Sequence, residues 1–177
     1  MNAADRPGVP GQDAIVTSWK SLHMLPPRIR ETFARFPREV IDLCRLHPWT
    51  ALVTPPQPGM RPIRDILVHM VSAERHWIRH VIHGDPRERL QPEAFPDLDS
   101  ILSAWAPQRE ATLRFLDGLT PERRQERRPF PWDATEMASV EEIVWHVVTH
   151  EQYHRGQVFT RLALLGRRDL PDYDMLR

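Results

Sequence analysis

The stretch that decides the fold is WHVVTHEQYHRGQ, residues 145–157. It has strong helical character and places His150 and His154 four residues apart. Residues i and i+4 lie one above the other on the same face of a helix. Two imidazoles in that arrangement can bind one metal ion without bending the backbone. The stretch therefore predicts a helix that offers two ligands to a metal site.

This helix has a clear beginning and a clear buried face. Ser139 followed by Glu142 forms a capping box, which predicts the helix start. On a helical wheel, His154 lies within roughly 40° of the centre of the buried face and His150 within roughly 80°. His146 lies farther away, at roughly 120°. We therefore expect His150 and His154 to point toward the core and His146 to lie at an edge.

Three further segments show apolar residues at helical spacing. They are predicted from Ile29 to Cys44, from Pro62 to about His83, and from about Leu98 to Leu119, and the capped helix ends near Gly166. Pro37 should kink or split the first of them, and Pro107 weakens the third, because an interior proline costs roughly 3 kcal/mol. Residues 120–138 are predicted as a polar linker, and no alternating segment is long enough to predict a sheet. The sequence predicts an all-α, antiparallel four-helix bundle.

The chain before these helices is predicted as an extra N-terminal segment. Residues 1–12 are polar and rich in proline and glycine, which predicts a flexible arm. Asp13 to Leu25 could form a short helix that ends at the following prolines. We expect residues 13–177 to form a single domain, which is an ordinary size for one hydrophobic core.

The amino-acid composition limits the functions that this chain could have. The 177 residues carry 24 basic and 24 acidic side chains, a formal net charge of +0, whereas non-specific nucleic-acid binding needs a basic excess. Cys44 is the one cysteine, so no disulfide can form within the chain, and its helical context predicts a core residue rather than a nucleophile. The absence of a long apolar run and of a signal-like start leads us to expect a cytoplasmic, soluble protein.

A third ligand has to come from another helix. His69 is the leading candidate, because it borders the apolar face of the second helix and lies well inside that helix. His76 and His80 are a rival i,i+4 pair near the helix end, more simply interpreted as solvated side chains. Spacing alone leaves open whether His150 and His154 bind metal or pack in the core.

Two acidic residues fall on buried helix faces. Glu151 could act as a general base or hold a ligand in position. Glu74 lies near the middle of the second helix's apolar face and could orient a ligand histidine. A structural alternative applies equally to both residues, namely a buried salt bridge with Arg155 or Arg161. Gln157 is a weaker candidate for a partner of a ligand histidine.

Two stretches resemble the signatures of a known family. Residues 146–157, HVVTHEQYHRGQ, closely resemble the last-helix signature of the DinB/YfiT-like metalloenzymes. Residues 63–69, IRDILVH, followed by Glu74 and Trp77, are similar to that family's second-helix signature. The resemblance implies a four-helix bundle and a divalent ion held by His69, His150 and His154.

The same resemblance implies several further properties. The ion would be nickel or zinc in preference to manganese or iron, and homodimers are frequent in the family. Its better-understood members are transferases or isomerases that use low-molecular-weight thiols. We therefore expect a metal-dependent enzyme that acts on a small molecule, with thiol-dependent S-transfer favoured over hydrolysis. No nucleic-acid or membrane partner is expected.

Two other functions stay open at this point. One is a non-catalytic stress or DNA-damage-inducible protein in which a structural metal ion stabilises the bundle. A fourth ligand from Glu74, Glu151 or His146 would favour it, because structural zinc normally has four protein ligands. The other, more remote, is a peptidase of the HExxH type, read from the letters at residues 150–154. Gln157 and Thr160 stand where the extended metzincin pattern needs glycine and histidine.

Overall fold

The computed structural model describes residues 24–172, and most of this part is helical. The helices are α1 (Pro27–Cys44), α2 (Trp49–Val53), α3 (Ile63–Glu74), α4 (Leu98–Asp117), α5 (Pro121–Arg124) and α6 (Val140–Leu164). A π-helical segment, Arg75–Ile82, continues α3 directly, and Pro92–Ala94 is a short 3-10 turn. Two strands, β1 (Arg127–Phe130) and β2 (Asp133–Ser139), precede α6. The predicted arm at 1–12 and almost all of the predicted helix at 13–25 lie outside the described residues.

Four long helical elements form the body of the molecule. They are α1, α3 with its π-helical continuation, α4 and α6. The first of them packs against α4, whereas α3 packs against both α4 and α6. All four helices expected for the bundle are therefore present, and α3 and α6 lie side by side.

The interior contains two apolar clusters with a polar layer between them. One cluster includes Trp105 and Leu162, and the other includes Ile78 and Ile143. Along α3, α4 and α6, buried polar residues come between the residues of one cluster and those of the other. These residues, which we call the polar layer, are Glu74, Gln108, Arg109, Thr112, Glu151, His154 and Arg155.

Pro37 does not split α1, contrary to the sequence-based expectation. The helix runs from Pro27 to Cys44 with Pro37 buried inside it. Proline has no N–H to offer the carbonyl four residues earlier, which here is Phe33. The guanidinium of Arg109 donates to that carbonyl oxygen instead. The proline thus frees an acceptor that a buried arginine uses. Helix α4 likewise runs through Pro107 without a break.

The prediction of a strictly all-α chain was wrong at residues 127–139. The expected polar linker contains α5 and an antiparallel hairpin in which Arg127 pairs with Ser139 and Pro129 with Met137. Strand β1 has only four residues and includes a proline. A run this short has too few alternations to be recognised in the sequence.

The predicted ends of the capped helix are confirmed. The Ser139 hydroxyl accepts from the Glu142 backbone N–H at 3.1 Å, and the Glu142 carboxylate accepts from the Ser139 N–H at 2.7 Å. Gly166 follows the last turn with φ of 95°, a left-handed conformation that glycine adopts freely. The start of α3 differs by one residue, because Pro62 precedes the first helical residue, Ile63.

Among residues 24–172, no helix is both long enough and apolar enough to cross a membrane.

A candidate metal centre on two helices

Three histidine rings meet where α3 packs against α6. His69 lies on α3, and His150 and His154 lie one turn apart on α6. The Nε2 atom of His150 is 3.1 Å from Nε2 of His69 and 3.1 Å from Nε2 of His154. One ring nitrogen from each residue lies within 4.8 Å of those of the other two. We call these three residues the histidine cluster.

These distances suit a shared divalent ion. Zinc binds histidine nitrogen at about 2.0–2.1 Å, so two ligands of a tetrahedral ion are roughly 3.3 Å apart. The two separations of 3.1 Å at His150 are close to this value. Three imidazoles are also a donor set that zinc, nickel and related ions accept. The residues present therefore fit such an ion.

A hydrogen bond fixes the orientation of one ring in the cluster. Nδ1 of His154 is 3.0 Å from Oε1 of Gln157, one turn further along α6. An amide oxygen only accepts, so Nδ1 donates, and Nε2 of the neutral ring keeps its lone pair for the cluster. Metal-ligating histidines commonly donate their second N–H in this way. The sequence named Gln157 as a weaker candidate for such a partner, and the structure shows its contact with His154.

The protein environment keeps the rings neutral. Burial, with the neighbouring histidines adding to it, lowers the pKa of His69 and of His150 to about 4. Burial also lowers the pKa of His154, against the opposing effect of the hydrogen bond that its ring donates to Gln157. Only neutral imidazole binds metal. At neutral pH the cluster therefore presents three unprotonated nitrogens.

Access to the cluster is uneven. His154 is buried, whereas the side chains of His69 and His150 keep partial exposure to solvent. The ring of Tyr153, which is largely exposed, lies 5.0 Å from that of His154, centre to centre. A small molecule could reach the cluster from the side of His69 and His150.

Glu151 does not join the cluster, although its neighbour on α6 does. Its carboxylate accepts from Arg109, and its other oxygen lies 3.2 Å from a guanidinium nitrogen of Arg155. All three side chains are buried. The salt bridge between Glu151 and Arg155, one of the alternatives left open by the sequence, is present, while the pairing with Arg109 was not foreseen.

Glu74 also belongs to the polar layer rather than to the cluster. Its oxygens accept from the Thr112 hydroxyl at 2.7 Å, the Trp105 Nε1 at 3.0 Å and the Arg109 guanidinium at 2.9 Å. Its arginine partner is Arg109, whereas the sequence-based alternative named Arg155 or Arg161. No hydrogen bond links it to a ligand histidine.

Sequence reasoning missed Arg109, the residue that joins the two carboxylates. Its guanidinium carbon lies 3.4 Å from the centre of the Phe33 ring. The flat face of the guanidinium therefore packs on an aromatic ring, while its N–H groups donate hydrogen bonds. One signal was present in the sequence. Arg109 falls four residues after Trp105 and three before Thr112, which puts it on the buried face of α4.

The other histidines on these helices form no comparable site. His146 packs its ring 5.6 Å from that of His150 and 4.7 Å from that of Trp77. The rings of His76 and His80 are 5.3 Å apart, and Nδ1 of His80 donates to the Asp85 carbonyl at 2.7 Å. Within residues 24–172, the histidine cluster is the one group of three or more candidate ligands that converge.

Comparison with known sequences identifies one family. The family model described as the DinB superfamily matches residues 32–158, which include all three histidines. The uncharacterized protein YizA of Bacillus subtilis is 26% identical over 100 residues, or 56% of this chain and 62% of YizA. The alignment therefore spans less than two thirds of that relative's length.

Comparison with solved structures finds the same architecture. YfiT from Bacillus subtilis, described as a probable metal-dependent hydrolase with an unusual four-helix bundle topology, has a TM-score of 0.62 at 15% identity, over 79% of this chain and 87% of YfiT. The DinB-like protein YjoA of Bacillus subtilis scores 0.63 at 14% identity, over 82% and 96%. A DinB-like protein from Bacillus cereus scores 0.63 at 15% identity, over 92% and 97%. At these identities the likeness establishes the fold alone.

Proposed function

This chain belongs to the DinB superfamily, and we propose that it is a divalent-metal-dependent enzyme acting on a small molecule. In this proposal His69, His150 and His154 hold the ion. The observation that carries it is the convergence of three neutral imidazole nitrogens from two helices. Nickel and zinc are the favoured ions, because both accept all-imidazole ligand sets.

The number of protein ligands favours a catalytic metal ion over a purely structural one. Structural zinc normally has four protein ligands, whereas catalytic zinc has three and an open position. No fourth protein ligand belongs to the cluster within the described residues. Glu74 and Glu151, two of the candidates for a fourth ligand, are engaged by Arg109 instead. A purely structural role for the metal ion is therefore less well supported.

Each part of the site has a role in the proposed mechanism. A divalent ion bound there would lower the pKa of a thiol or a water molecule beside the histidines. His154 is held in its ligating orientation by Gln157, while the exposed sides of His69 and His150 leave room for the substrate. The polar layer ties α3, α4 and α6 together and so keeps the three rings at a fixed spacing.

The surroundings of Glu151 favour thiol transfer over base-assisted hydrolysis. In HExxH peptidases the glutamate serves as general base for the attacking water, but here its carboxylate is paired with Arg109 and Arg155. An ion held by His69, His150 and His154 would make a neighbouring thiol more acidic. That thiol would lose its proton to solvent and bond through sulfur to an electrophilic carbon, and the leaving group would depart with its electron pair. No protein base is needed for that sequence.

Hydrolysis is the second candidate, because the structural relative YfiT is described as a probable metal-dependent hydrolase. The two reactions differ in a simple requirement. A thiol-dependent transferase consumes one thiol per turnover, whereas a hydrolase needs only water. The homodimer, the cytoplasmic location and the assisting role of Glu151 stay predictions.

The first test is the metal content of the purified protein, measured by inductively coupled plasma mass spectrometry. We expect about one equivalent of nickel or zinc per chain and a loss of nearly all of it in His69→Ala/His150→Ala. The matched control is His76→Ala/His80→Ala, which removes two histidines of a neighbouring pair outside the cluster. Unchanged metal in the first variant, or no metal in wild type even after nickel and zinc are supplied, would overturn the proposal.

The second test separates the two reactions. The metal-loaded protein is incubated with glutathione and 1-chloro-2,4-dinitrobenzene, and in parallel with nitrophenyl esters and no thiol. We expect turnover that requires both thiol and metal. Equal turnover of the esters without thiol would shift the assignment to a hydrolase.

A further inference from the structure

A cavity lies beside the histidine cluster. It has a volume of about 290 Å³, and its lining includes Trp77, Phe130, Met137, Ala138, Ile143 and His146. We call it the aromatic pocket. It is bounded by the π-helical segment, the hairpin and α6. The hairpin lies outside the four long helices, and here it contributes a wall of a cavity.

The pocket and the cluster are neighbours, and His146 lies next to both. That ring lines the pocket and lies 5.6 Å from the ring of His150, centre to centre. On the other side it meets the ring of Trp77 edge to face at 4.7 Å. Trp77 lies within the π-helical segment, a form of helix that is rare and frequent at functional sites. A molecule bound at the cluster therefore has an aromatic cavity within reach.

The walls of the pocket suit an apolar occupant. Glu142 contributes a carboxylate, but that group already accepts from the Ser139 N–H at 2.7 Å and its hydroxyl at 2.9 Å. Around the pocket the hairpin exposes large apolar side chains, with Met137 42% and Trp132 62% accessible. The Trp132 ring stacks on that of Phe130 at 4.9 Å. Exposed apolar surface concentrated at a cavity marks a binding site.

The size of the pocket selects a small molecule. A cavity of about 150 Å³ lined by apolar side chains holds one benzene molecule. The aromatic pocket, at about 290 Å³, has room for one or two rings with a short linker. It is at the small end of the range for ligand cavities, so a peptide helix would not fit.

We propose that the aromatic pocket binds the apolar, ring-sized body of the substrate, while a polar head of the same molecule reaches the ion at the histidine cluster. This inference rests on the proposed function, and it names the substrate class as small molecules with a metal-ligating head and an aromatic or similar apolar body. Trp77, Phe130 and Met137, which line the pocket, would contact that body.

The test compares two hydroxamates as probes of the zinc-loaded protein. Acetohydroxamate carries only the metal-ligating head, whereas 3-phenylpropionohydroxamate adds a ring through a saturated linker and leaves the head chemically similar. We expect the phenyl compound to bind roughly tenfold or more tightly by calorimetry, because burying a ring removes apolar surface from water. In Met137→Glu that gain should disappear, while Met137→Leu and Tyr153→Ala should keep it.

The outcomes separate this inference from the proposed function. If zinc does not bind, or binds equally well to His69→Ala/His150→Ala, both are overturned. If zinc and acetohydroxamate bind but the phenyl group adds no affinity, or adds the same affinity in Met137→Glu, only the aromatic pocket is overturned. If Met137→Glu instead converts a dimer into a monomer in sedimentation and the phenyl gain is absent in wild type, the pocket is a self-association face.

Discussion

At the scale of single residues, the candidate site depends on how each ring is held as well as on which rings are present. His154 has its Nδ1 hydrogen bonded to Gln157, and this bond directs Nε2 toward His69 and His150. Without an acceptor at residue 157, the ring of His154 could rotate or adopt the other neutral tautomer. Both changes remove a lone pair from the cluster.

Gln157→Ala is therefore expected to weaken zinc binding by about 10- to 100-fold, the usual cost of removing a partner of a ligand histidine. Competition with a chromophoric chelator would measure this affinity. Gln157→Glu is the matched variant, because a carboxylate also accepts from Nδ1, and it should bind zinc at least as tightly as wild type. Equal affinities in Gln157→Ala and wild type would show that packing alone orients the ring.

At the scale of the elements, local signals predicted the four long helices well and the hairpin not at all. The capping box at Ser139 and the glycine at Gly166 bracket α6, because helix ends depend on neighbouring residues. The hairpin has a four-residue strand with no recognisable period, so its pairing had to be seen in the fold. Pro37 was misjudged for a related reason. The partner of the freed Phe33 carbonyl, Arg109, is 76 residues away.

Arg109 is the residue through which three of these elements hold together. It lies on α4 and pairs with Glu74 of α3 and Glu151 of α6, and all three side chains are buried. Replacing it with Met leaves two carboxylates buried without their main counter-charge. Removing one partner of a buried pair typically destabilises a protein by about 3–5 kcal/mol. We expect a loss of this size in the free energy of unfolding of Arg109→Met, measured with urea.

The control for this prediction is an arginine on the surface of α1. Arg35 has a side chain that is 54% exposed and forms ion pairs with Glu31 and Glu39. Arg35→Met should change the free energy of unfolding by less than about 1 kcal/mol, since exposed ion pairs contribute little. A similarly small change in Arg109→Met would mean that the polar layer adds little stability.

At the scale of the whole molecule, the cluster joins distant parts of the chain. His69 and His150 are 81 residues apart in sequence, yet their Nε2 atoms are 3.1 Å apart. Spacing predicted the pair on α6, because one helix turn separates His150 from His154. Spacing could identify His69 only as a candidate, because the contact between α3 and α6 depends on how the whole core packs. The pairing of Glu74 and Glu151 with Arg109 could not be predicted for the same reason.

Zinc should therefore stabilise the entire fold rather than one segment. An ion that binds only the native state adds about 2.7 kcal/mol at a free concentration 100 times its Kd. For a chain of this size, that corresponds to a rise in Tm of roughly 5–10 °C. Differential scanning calorimetry should show the rise in wild type and in His76→Ala/His80→Ala, but not in His150→Ala/His154→Ala. An equal rise in all three proteins would mean that zinc binds elsewhere. A rise only in the two proteins that keep all three histidines of the cluster would show that the contact between α3 and α6 contributes to global stability.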